Sequence, residues 1–218
     1  DGHRFTAAFS HACATRPSVP AILTSSHPLM YGGFERLSED RTLVSTVVSE
    51  RGYATAGFHS NLYLSAEFGY SRGFDTFYDS RGGSTFTERL RRGVKNRLDT
   101  DGVLFNFLQR LYDRTERSAG VNIGSYHTPA DEITDRALDW VSRTAGRPSF
   151  LWVHYMDPHH PYAPPKEYQR FSTVDRREGV RLRPKMLDDD AETTDRELQT
   201  LIDLYDDEIR YTDAEIGR

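Results

Sequence analysis

A continuous apolar segment, SFLWVHYM at residues 149–156, constrains the fold of this chain more than any other feature. Turn-forming residues border it, since Gly146 stands shortly before it and the proline-rich segment 157–165 follows it. Strands that are buried on both faces of a parallel sheet have this unbroken apolar character. We therefore predict that residues 149–156 form a central strand of a parallel sheet.

Segments with strand and helix character alternate along the rest of the chain. Short strands are predicted at residues 4–9 and 53–58. Apolar spacing predicts a helix at 40–51, with Asp40 as its N-cap and Gly52 as its stop signal. Further helices are predicted at residues 84–98, at 101–117, between Thr128 and Gly146, and from about residue 193 onwards. This alternation predicts an α/β fold with a mostly parallel sheet flanked by helices.

The last predicted helix is amphipathic, and its apolar stripe carries six large side chains. These are Leu198, Leu201, Ile202, Tyr205, Ile209 and Ile216. The charged segment before it, residues 172–192, is predicted to be exposed. We interpret the run Asp188–Asp190 within that segment as solvated side chains rather than as metal ligands.

The composition of the chain narrows the class of protein. With 218 residues, 12% aromatic residues and 28% charged residues, the chain is typical of one soluble globular domain. A net charge of −5 without a basic stripe argues against nucleic-acid binding, and no apolar run is long enough to span a membrane. Cys13 is the only cysteine, which leaves the compartment open.

The chain starts at Asp1 without methionine and stops at Arg218 inside a helical pattern. We interpret residues 1–218 as a single partial domain, truncated at both ends. A signal peptide could have been lost with the N-terminus, so the protein is either cytoplasmic or exported.

The polar segment at residues 10–16 leads into a short apolar helix that is predicted to open at Pro17 and Ser18. The Thr15 hydroxyl would then lie at a helix N-terminus, where backbone N–H groups and the helix dipole favour negative charge. Such a site can stabilise an alkoxide and the oxyanion of a phosphate or sulfate ester. The alternative is that Thr15 is an ordinary N-cap.

Four segments, in the right order and spacing, resemble blocks of the sulfatase family within the alkaline phosphatase superfamily. They are ATRPSVPAILTS at 14–25, GYATAGFHSNLYLSAEFGYSRGFDTF at 52–77, FLWVHYMDPHHPYAPP at 150–165 and YDDEIRYTDAEIGR at 205–218. The resemblance implies an alkaline-phosphatase-like sandwich, incomplete in this chain. It also implies an ester hydrolase acting on a small-molecule, glycan or lipid ester.

Carried over residue by residue, the resemblance makes Thr15 the nucleophile and a metal ligand. His159 matches the histidine that contacts the ester oxyanion or protonates the leaving group, a role that suits an imidazole. The alternative for His159 is a loop histidine packed against Pro161 and Tyr162. His154, on the preceding strand, is interpreted as a core histidine.

Four further residues are candidates for substrate binding, each with a structural alternative. Arg16 would face the anionic ester or else point to solvent. His59 and Asn61 would reach the substrate or else stabilise their loop. Asp157 would orient a neighbouring histidine or else cap a turn.

Two departures from the family pattern shape the predicted mechanism. Threonine at position 15 cannot become formylglycine, which requires cysteine or serine, so no formylglycine is expected. Val19 stands where the family signature has arginine. What remains resembles the phosphodiesterases and phosphoglycerol-type transferases of the superfamily, which use threonine directly. The alternative function is a catalytically inactive member that serves as a binding or structural domain.

The resemblance also implies a divalent metal, with Ca²⁺, Mg²⁺, Mn²⁺ or Zn²⁺ as candidates. Apart from Thr15, its ligands would lie before Asp1 and after Arg218, so the isolated chain is expected to be inactive. We further predict that Thr15 and His159 face a shared cleft at one sheet edge. If they do not, the chain would instead be an unrelated α/β domain with an accidental TRPS loop.

Overall fold

The computed structural model describes residues 5–80, 127–188 and 190–218. Contacts divide the chain into two compact units. We call Asp1–Arg81 with Arg136–His154 the sheet unit, and Gly82–Asp135 with Tyr155–Arg218 the helical unit. The predicted helices at 84–98 and 101–117 lie outside the described residues.

Three parallel strands form the sheet unit's core: β1 (Ala54–His59), β2 (Thr76–Tyr78) and β3 (Ser149–His154), in the order β2-β1-β3. All six residues of β1 are buried, and most of them are small. Gly57 permits this packing, because a Cβ at that position would lie 2.9 Å from the Phe77 ring. The register pairs His59 with His154, so β1 and β3 both end in histidine at the carboxyl edge of the sheet.

The prediction that residues 149–156 form a central strand of the sheet was wrong for the strands that the structure describes. β3 is parallel, as predicted, but it pairs only with β1, and β1 is the central strand. Leu151 on β3 is 36% exposed, whereas Ala56 on β1 is fully buried. The apolar run of β3 did not reveal this difference in burial between the two strands.

The predicted strand at residues 4–9 is also absent over residues 5–9. Phe5 and Phe9 are 81% and 89% exposed there, so neither side chain is packed into the sheet unit. Without a neighbouring strand among the described residues, the backbone here has no ladder to join.

Helices α1 (Thr15–Thr24) and α2 (Val44–Ser49) belong to the sheet unit, and α3 (Ala130–Arg143) enters it from residue 136. α2 is shorter than predicted, and its N-cap is Leu43 rather than Asp40. The predicted stop at Gly52 is confirmed by a φ of 83°, which glycine adopts without strain. The chain's fold is thus α/β, with a parallel sheet flanked by helices.

The helical unit contains the start of α3, then α4 (Arg177–Leu187) and α5 (Asp195–Ile216). The segment 172–192 was predicted to be exposed, but it contains α4, whose Leu182 is fully buried. Thr194 and Glu197 form a capping box that starts α5. None of the helices in the described parts of the chain is long and apolar enough to cross a membrane.

The buried face of α5 differs from the predicted apolar stripe. Leu201 is buried as expected, but five other residues of the stripe are 39% to 67% exposed: Leu198, Ile202, Tyr205, Ile209 and Ile216. The buried face instead carries polar and charged residues alongside its leucines. Its members are Leu201, Leu204, Asp207, Glu208, Tyr211 and Glu215. Buried carboxylates on this face contact the loop that follows β3, and these contacts offset the cost of their burial.

Candidate active site

Thr15 is the first residue of α1, in the first helical position rather than at the N-cap. Ala14 is the N-cap, with extended backbone angles of φ −130° and ψ 153°, and it makes no side-chain capping bond. The helix therefore begins two residues before Pro17, and the interpretation of Thr15 as an ordinary N-cap was wrong. Thr15 is half-buried, so its side chain keeps some access to solvent.

The N-terminus of α1 leaves backbone donors without intrahelical acceptors. The first intrahelical bond runs from the Ser18 N–H to the Ala14 carbonyl at 3.0 Å. The N–H groups of Thr15 and Arg16 come before it, where a helix offers no acceptor of its own, and Pro17 has no N–H. These donors and the helix dipole make the surroundings of Thr15 favourable for an anion.

Val19, which replaces the family arginine, is only 8% exposed. At this place in α1 the side chain is therefore part of the apolar core of the sheet unit. The first turn of the helix receives no positive charge from position 19.

Arg16 does not point to solvent, since its side chain is only 22% exposed. Its guanidinium carbon lies 6.0 Å from the Phe34 ring centre and 5.7 Å from that of Tyr63. An exposed carboxylate, Glu35, lies 3.6 Å from its Nη2. These contacts hold the Arg16 cation beside the first turn of α1, and its role towards a substrate stays a prediction.

His59 and Asn61 are buried at the carboxyl end of β1. The Asn61 N–H donates to His59 Nδ1 at 3.2 Å, and Asn61 Oδ1 accepts from the Tyr63 N–H at 3.0 Å. Asn61 thereby caps a short 3₁₀ helix, Leu62–Leu64. Both contacts stabilise the loop, which is the structural alternative for these residues, and their contact with substrate stays a prediction.

The charge of His59 is set by its surroundings. Burial, and then the neighbouring His154, lower the pKa of His59 to about 3, so it is neutral near pH 7. Because Nδ1 accepts a hydrogen bond, the proton of the neutral ring is on Nε2. Nε2 is buried and makes no hydrogen bond within the part of the chain that the structure describes. His59 can therefore offer an N–H donor but no positive charge.

Asp157, in the helical unit, caps a helix that is distant in sequence. Its Oδ1 accepts from the Ala130 N–H at 3.2 Å, at the start of α3. This hydrogen bond satisfies one of the N–H groups that have no intrahelical acceptor at a helix N-terminus. Burial raises the pKa of Asp157 to about 6, although the bond from Ala130 opposes that shift.

His159 follows Asp157 in a turn closed by its own N–H to the Met156 carbonyl at 2.9 Å. Its Nδ1 lies 2.7 Å from the His160 carbonyl, which can only accept, so Nδ1 carries a proton. His159 Nδ1–H thus donates to the His160 carbonyl and not to Asp157. His159 is exposed, and its Nε2 is left as the nitrogen that can exchange protons with a substrate.

The loop after His159 is held by two α5 carboxylates that the sequence did not single out. Asp207 accepts from the N–H groups of Arg170, Phe171 and Ser172 at 2.7 to 3.0 Å, and from the Ser172 hydroxyl at 2.6 Å. Glu208 accepts from the Ala163 N–H at 2.7 Å. The helical spacing of Asp207 and Glu208 with the buried Leu204 and Tyr211 is the signal that could have revealed them.

Thr15, Arg16, His59 and Asn61 belong to the sheet unit, whereas Asp157 and His159 belong to the helical unit. The shared cleft for Thr15 and His159 therefore stays a prediction.

No three His, Cys, Asp or Glu side chains in residues 5–80, 127–188 and 190–218 are arranged to hold a metal ion. The described residues thus do not form a metal site around Thr15. Asp188 and Asp190 are exposed, as predicted for a solvated run, and the Asp190 N–H donates to Asp188 Oδ1 at 3.1 Å.

The fold defines an α/β protein whose three-stranded parallel sheet, flanked by helices, is consistent with an incomplete alkaline-phosphatase-like sandwich. A family model described as Sulfatase matches residues 1–218, so the chain belongs to the sulfatase family. No curated protein matches the chain, and no solved structure matches it either.

Proposed function

We propose that this protein is a metal-dependent hydrolase or transferase of sulfate or phosphate esters, with Thr15 as its nucleophile. The observation that carries the proposal is the position of Thr15 as the first residue of α1, a helix whose N-cap residue, Ala14, makes no side-chain capping bond. Family membership supports an ester hydrolase of this general type.

The proposed reaction uses the threonine hydroxyl directly. Thr15 Oγ1 gives its proton to solvent and forms a bond to the phosphorus or sulfur atom, while the bond from that atom to the leaving oxygen breaks. The departing alkoxide takes up a proton, and the ester is then carried on Thr15. Water, or a second alcohol in a transferase, attacks the covalent intermediate and releases Thr15. The N–H groups of Thr15 and Arg16 would stabilise the anionic oxygens throughout.

His159 is proposed as the group that delivers the proton to the leaving oxygen. Its Nδ1 donates to the His160 carbonyl, which orients the ring, and the imidazolium form of His159 would give up the proton on Nε2 and keep the one on Nδ1. Among the substrate-binding candidates, Arg16 would add positive charge near the ester. Asn61 and neutral His59 could act only as hydrogen-bond partners, and Asp157 would act by positioning the turn that carries His159.

Metal dependence is part of the proposal, with Ca²⁺, Mg²⁺, Mn²⁺ or Zn²⁺ as candidates. A bound divalent ion would lower the pKa of the Thr15 hydroxyl and balance the charge of the ester. Thr15 would supply one ligand, and the remaining ligands would come from outside the described residues.

A catalytically inactive family member is the second candidate. The burial of Val19 in the core favours it, since position 19 supplies no cation to the first turn of α1. Such a protein would retain the fold and bind anions without turnover.

Trapping the covalent intermediate separates these two candidates. The intact protein is incubated with aryl sulfates, aryl phosphates and aryl phosphodiesters, each with the four metals in turn, and quenched for peptide mass spectrometry. We expect an added phosphoryl or sulfuryl group on the peptide that contains Thr15, absent in Thr15→Ala and retained in Thr15→Ser. Turnover without modification of Thr15 would contradict the nucleophile assignment, and no turnover with any ester would favour the inactive member.

A further inference from the structure

A cavity of about 270 Å³ lies within the helical unit. Its apolar walls come from three prolines and two tyrosines: Pro129, Pro161, Pro165, Tyr168 and Tyr211. The volume is just below the range of drug-sized pockets, so it suits a ligand of few heavy atoms.

Five acidic side chains also line the cavity: Asp131, Asp157, Glu167, Glu208 and Glu215. Asp131 accepts a hydrogen bond from the Tyr211 hydroxyl at 2.9 Å, and Glu215 pairs with Arg218 at 2.8 Å. Glu167 is exposed to solvent, so the remaining buried carboxyls of the lining are those of Asp157 and Glu208, which are 6% and 4% exposed.

Positive charge in the lining does not balance these carboxyls. Among the described residues of the lining, Arg176 is the only arginine, and it is exposed to solvent. His127 also lines the cavity, but burial, and then the neighbouring His159, lower the pKa of His127 to about 4, so it is neutral near pH 7.

Asp157 provides the observation that points to a ligand. Its Oδ1 is bonded to the Ala130 N–H, but its Oδ2 is buried and has no hydrogen-bond partner in the described part of the chain. A buried acceptor without a donor costs free energy, and more so when it is charged. A ligand that brings an N–H donor and a positive charge into the cavity would remove that cost.

The proton affinities of the two carboxyls support the same conclusion. Burial is the largest cause in both cases, and it raises the pKa of Asp157 to about 6 and that of Glu208 to about 8. Nearby carboxylates add to the shift, from Asp131 and Glu215 at Asp157 and from Asp157 and Asp207 at Glu208. The Ala130 and Ala163 N–H groups and Arg176 oppose it.

Two features of the cavity select the chemistry of the ligand. Among the described residues, no three of these side chains come together closely enough to hold a metal ion. The proline and tyrosine walls instead suit a short hydrocarbon stem next to the cationic head. We propose that this cavity binds the alkylammonium group of a small amine, with Asp157 Oδ2 and the Glu208 carboxylate as its acceptors. The site shares Asp157 with the proposed ester chemistry, where that residue positions the turn of His159, but the amine proposal rests on the cavity and its test measures binding rather than ester turnover.

Isothermal titration of the intact protein tests the proposal with propylammonium as the probe and 1-propanol as its neutral match. We expect millimolar or tighter binding of propylammonium at pH 8.5, at least tenfold tighter than at pH 5, because ionised carboxyls are required. 1-Propanol should bind at least tenfold more weakly than propylammonium at pH 8.5. Measurements at 50 and 200 mM KCl separate this binding from general attraction to an acidic surface.

Two variants and a matched control decide the location. Asp157→Asn and Glu208→Gln should each weaken propylammonium binding at least tenfold. Asp203→Asn removes one charge from the surface of α5, where its carboxylate accepts from Gln199, and should change the affinity less than twofold. Circular dichroism checks that each variant is folded, and if Asp157→Asn is not, Glu208→Gln alone decides. Absence of propylammonium binding, equal binding of 1-propanol, or equal weakening in all three variants would overturn the proposal.

Discussion

The two segments that adjoin the candidate catalytic residues, one before Thr15 and one after His159, are held in different ways. The segment before Thr15, residues 5–14, is almost entirely exposed, and the bonds of the Ser10 hydroxyl to the Ala12 carbonyl and to Ser18 lie at the surface. The segment after His159 is bonded at four residues to the buried carboxylates of Asp207 and Glu208.

This difference shows two ways of placing a reactive side chain. Thr15 owes its position to the helix it begins, so the chain before it contributes little. His159 lies on an irregular segment whose backbone N–H groups need acceptors, and α5 supplies them from about 40 residues further along the chain. We expect changes near Thr15 to alter chemistry without altering stability, and changes in the α5 carboxylates to do the reverse.

The largest expected effect is on catalysis. Thr15→Ala should lower kcat/KM for the best ester substrate by about 10⁴-fold or more, because it removes the nucleophile. The melting temperature should stay within about 2 °C of the parent protein, since Thr15 is half-buried and is not the N-cap. Steady-state kinetics and a thermal melt are the measurements.

Thr24→Ala is the control for that change, because it removes a threonine hydroxyl from the other end of α1. Thr24 Oγ1 donates to the Pro20 carbonyl at 2.6 Å, so a small loss of stability is expected without loss of kcat. Equal loss of activity in both variants would show that Thr15 acts through the structure of α1.

The next effect is on stability. Asp207→Ala should lower the free energy of unfolding by about 4 kcal/mol, because it leaves three N–H groups and a hydroxyl without their charged acceptor. Burial alone would raise the pKa of Asp207, but the hydrogen bonds from residues 170–172 outweigh it and lower that pKa. Urea denaturation measures the change.

Asp207→Asn and Asp206→Ala sharpen that result. The asparagine can still accept hydrogen bonds through Oδ1, so Asp207→Asn should lower the free energy of unfolding by less than Asp207→Ala does. Asp206 is half-buried beside Asp207, and its replacement should cost under about 1 kcal/mol. If all three variants were equally stable, the bonds to the loop would contribute nothing.

Glu208→Gln should change how stability depends on pH. Burial raises the pKa of Glu208 from its ordinary 4.5 to about 8, so between these values the folded protein keeps a proton that the unfolded chain has lost. The contribution of Glu208 to the free energy of unfolding is therefore full below pH 4.5 and is lost as pH rises to about 8, a loss of about 5 kcal/mol. The glutamine variant should show a flatter profile in urea denaturation at pH 5, 6.5 and 8. A parent protein that becomes more stable over that range would contradict the assignment.

The smallest effect is expected before Thr15. Ser10→Ala removes a surface hydrogen bond of 2.9 Å to Ser18 and should change the free energy of unfolding by less than about 0.5 kcal/mol. A loss as large as that of Asp207→Ala would show that residues 5–14 are held as firmly as the loop after His159, and the contrast between them would be lost.

The sequence by itself determined the α/β class, the family and the positions at which helices end. Strands were predicted at 53–58 and 149–156 and are observed at 54–59 and 149–154, and Gly52 and Gly146 were predicted as helix stops. The family followed from four ordered blocks and holds for residues 1–218. These features depend on neighbours within a few positions, which a sequence displays directly.

Only the tertiary structure decided which faces are buried and which distant groups meet. The apolar stripe of α5 predicted its buried face poorly, because acceptors for the loop at 163–172 were needed on that face. Asp157 accepts a hydrogen bond from the N–H of Ala130 at the start of α3, 27 residues away in the sequence. His159 is oriented by the His160 carbonyl rather than by Asp157. Such pairings satisfy hydrogen-bonding groups that the fold brings together, and no local spacing in the sequence encodes them.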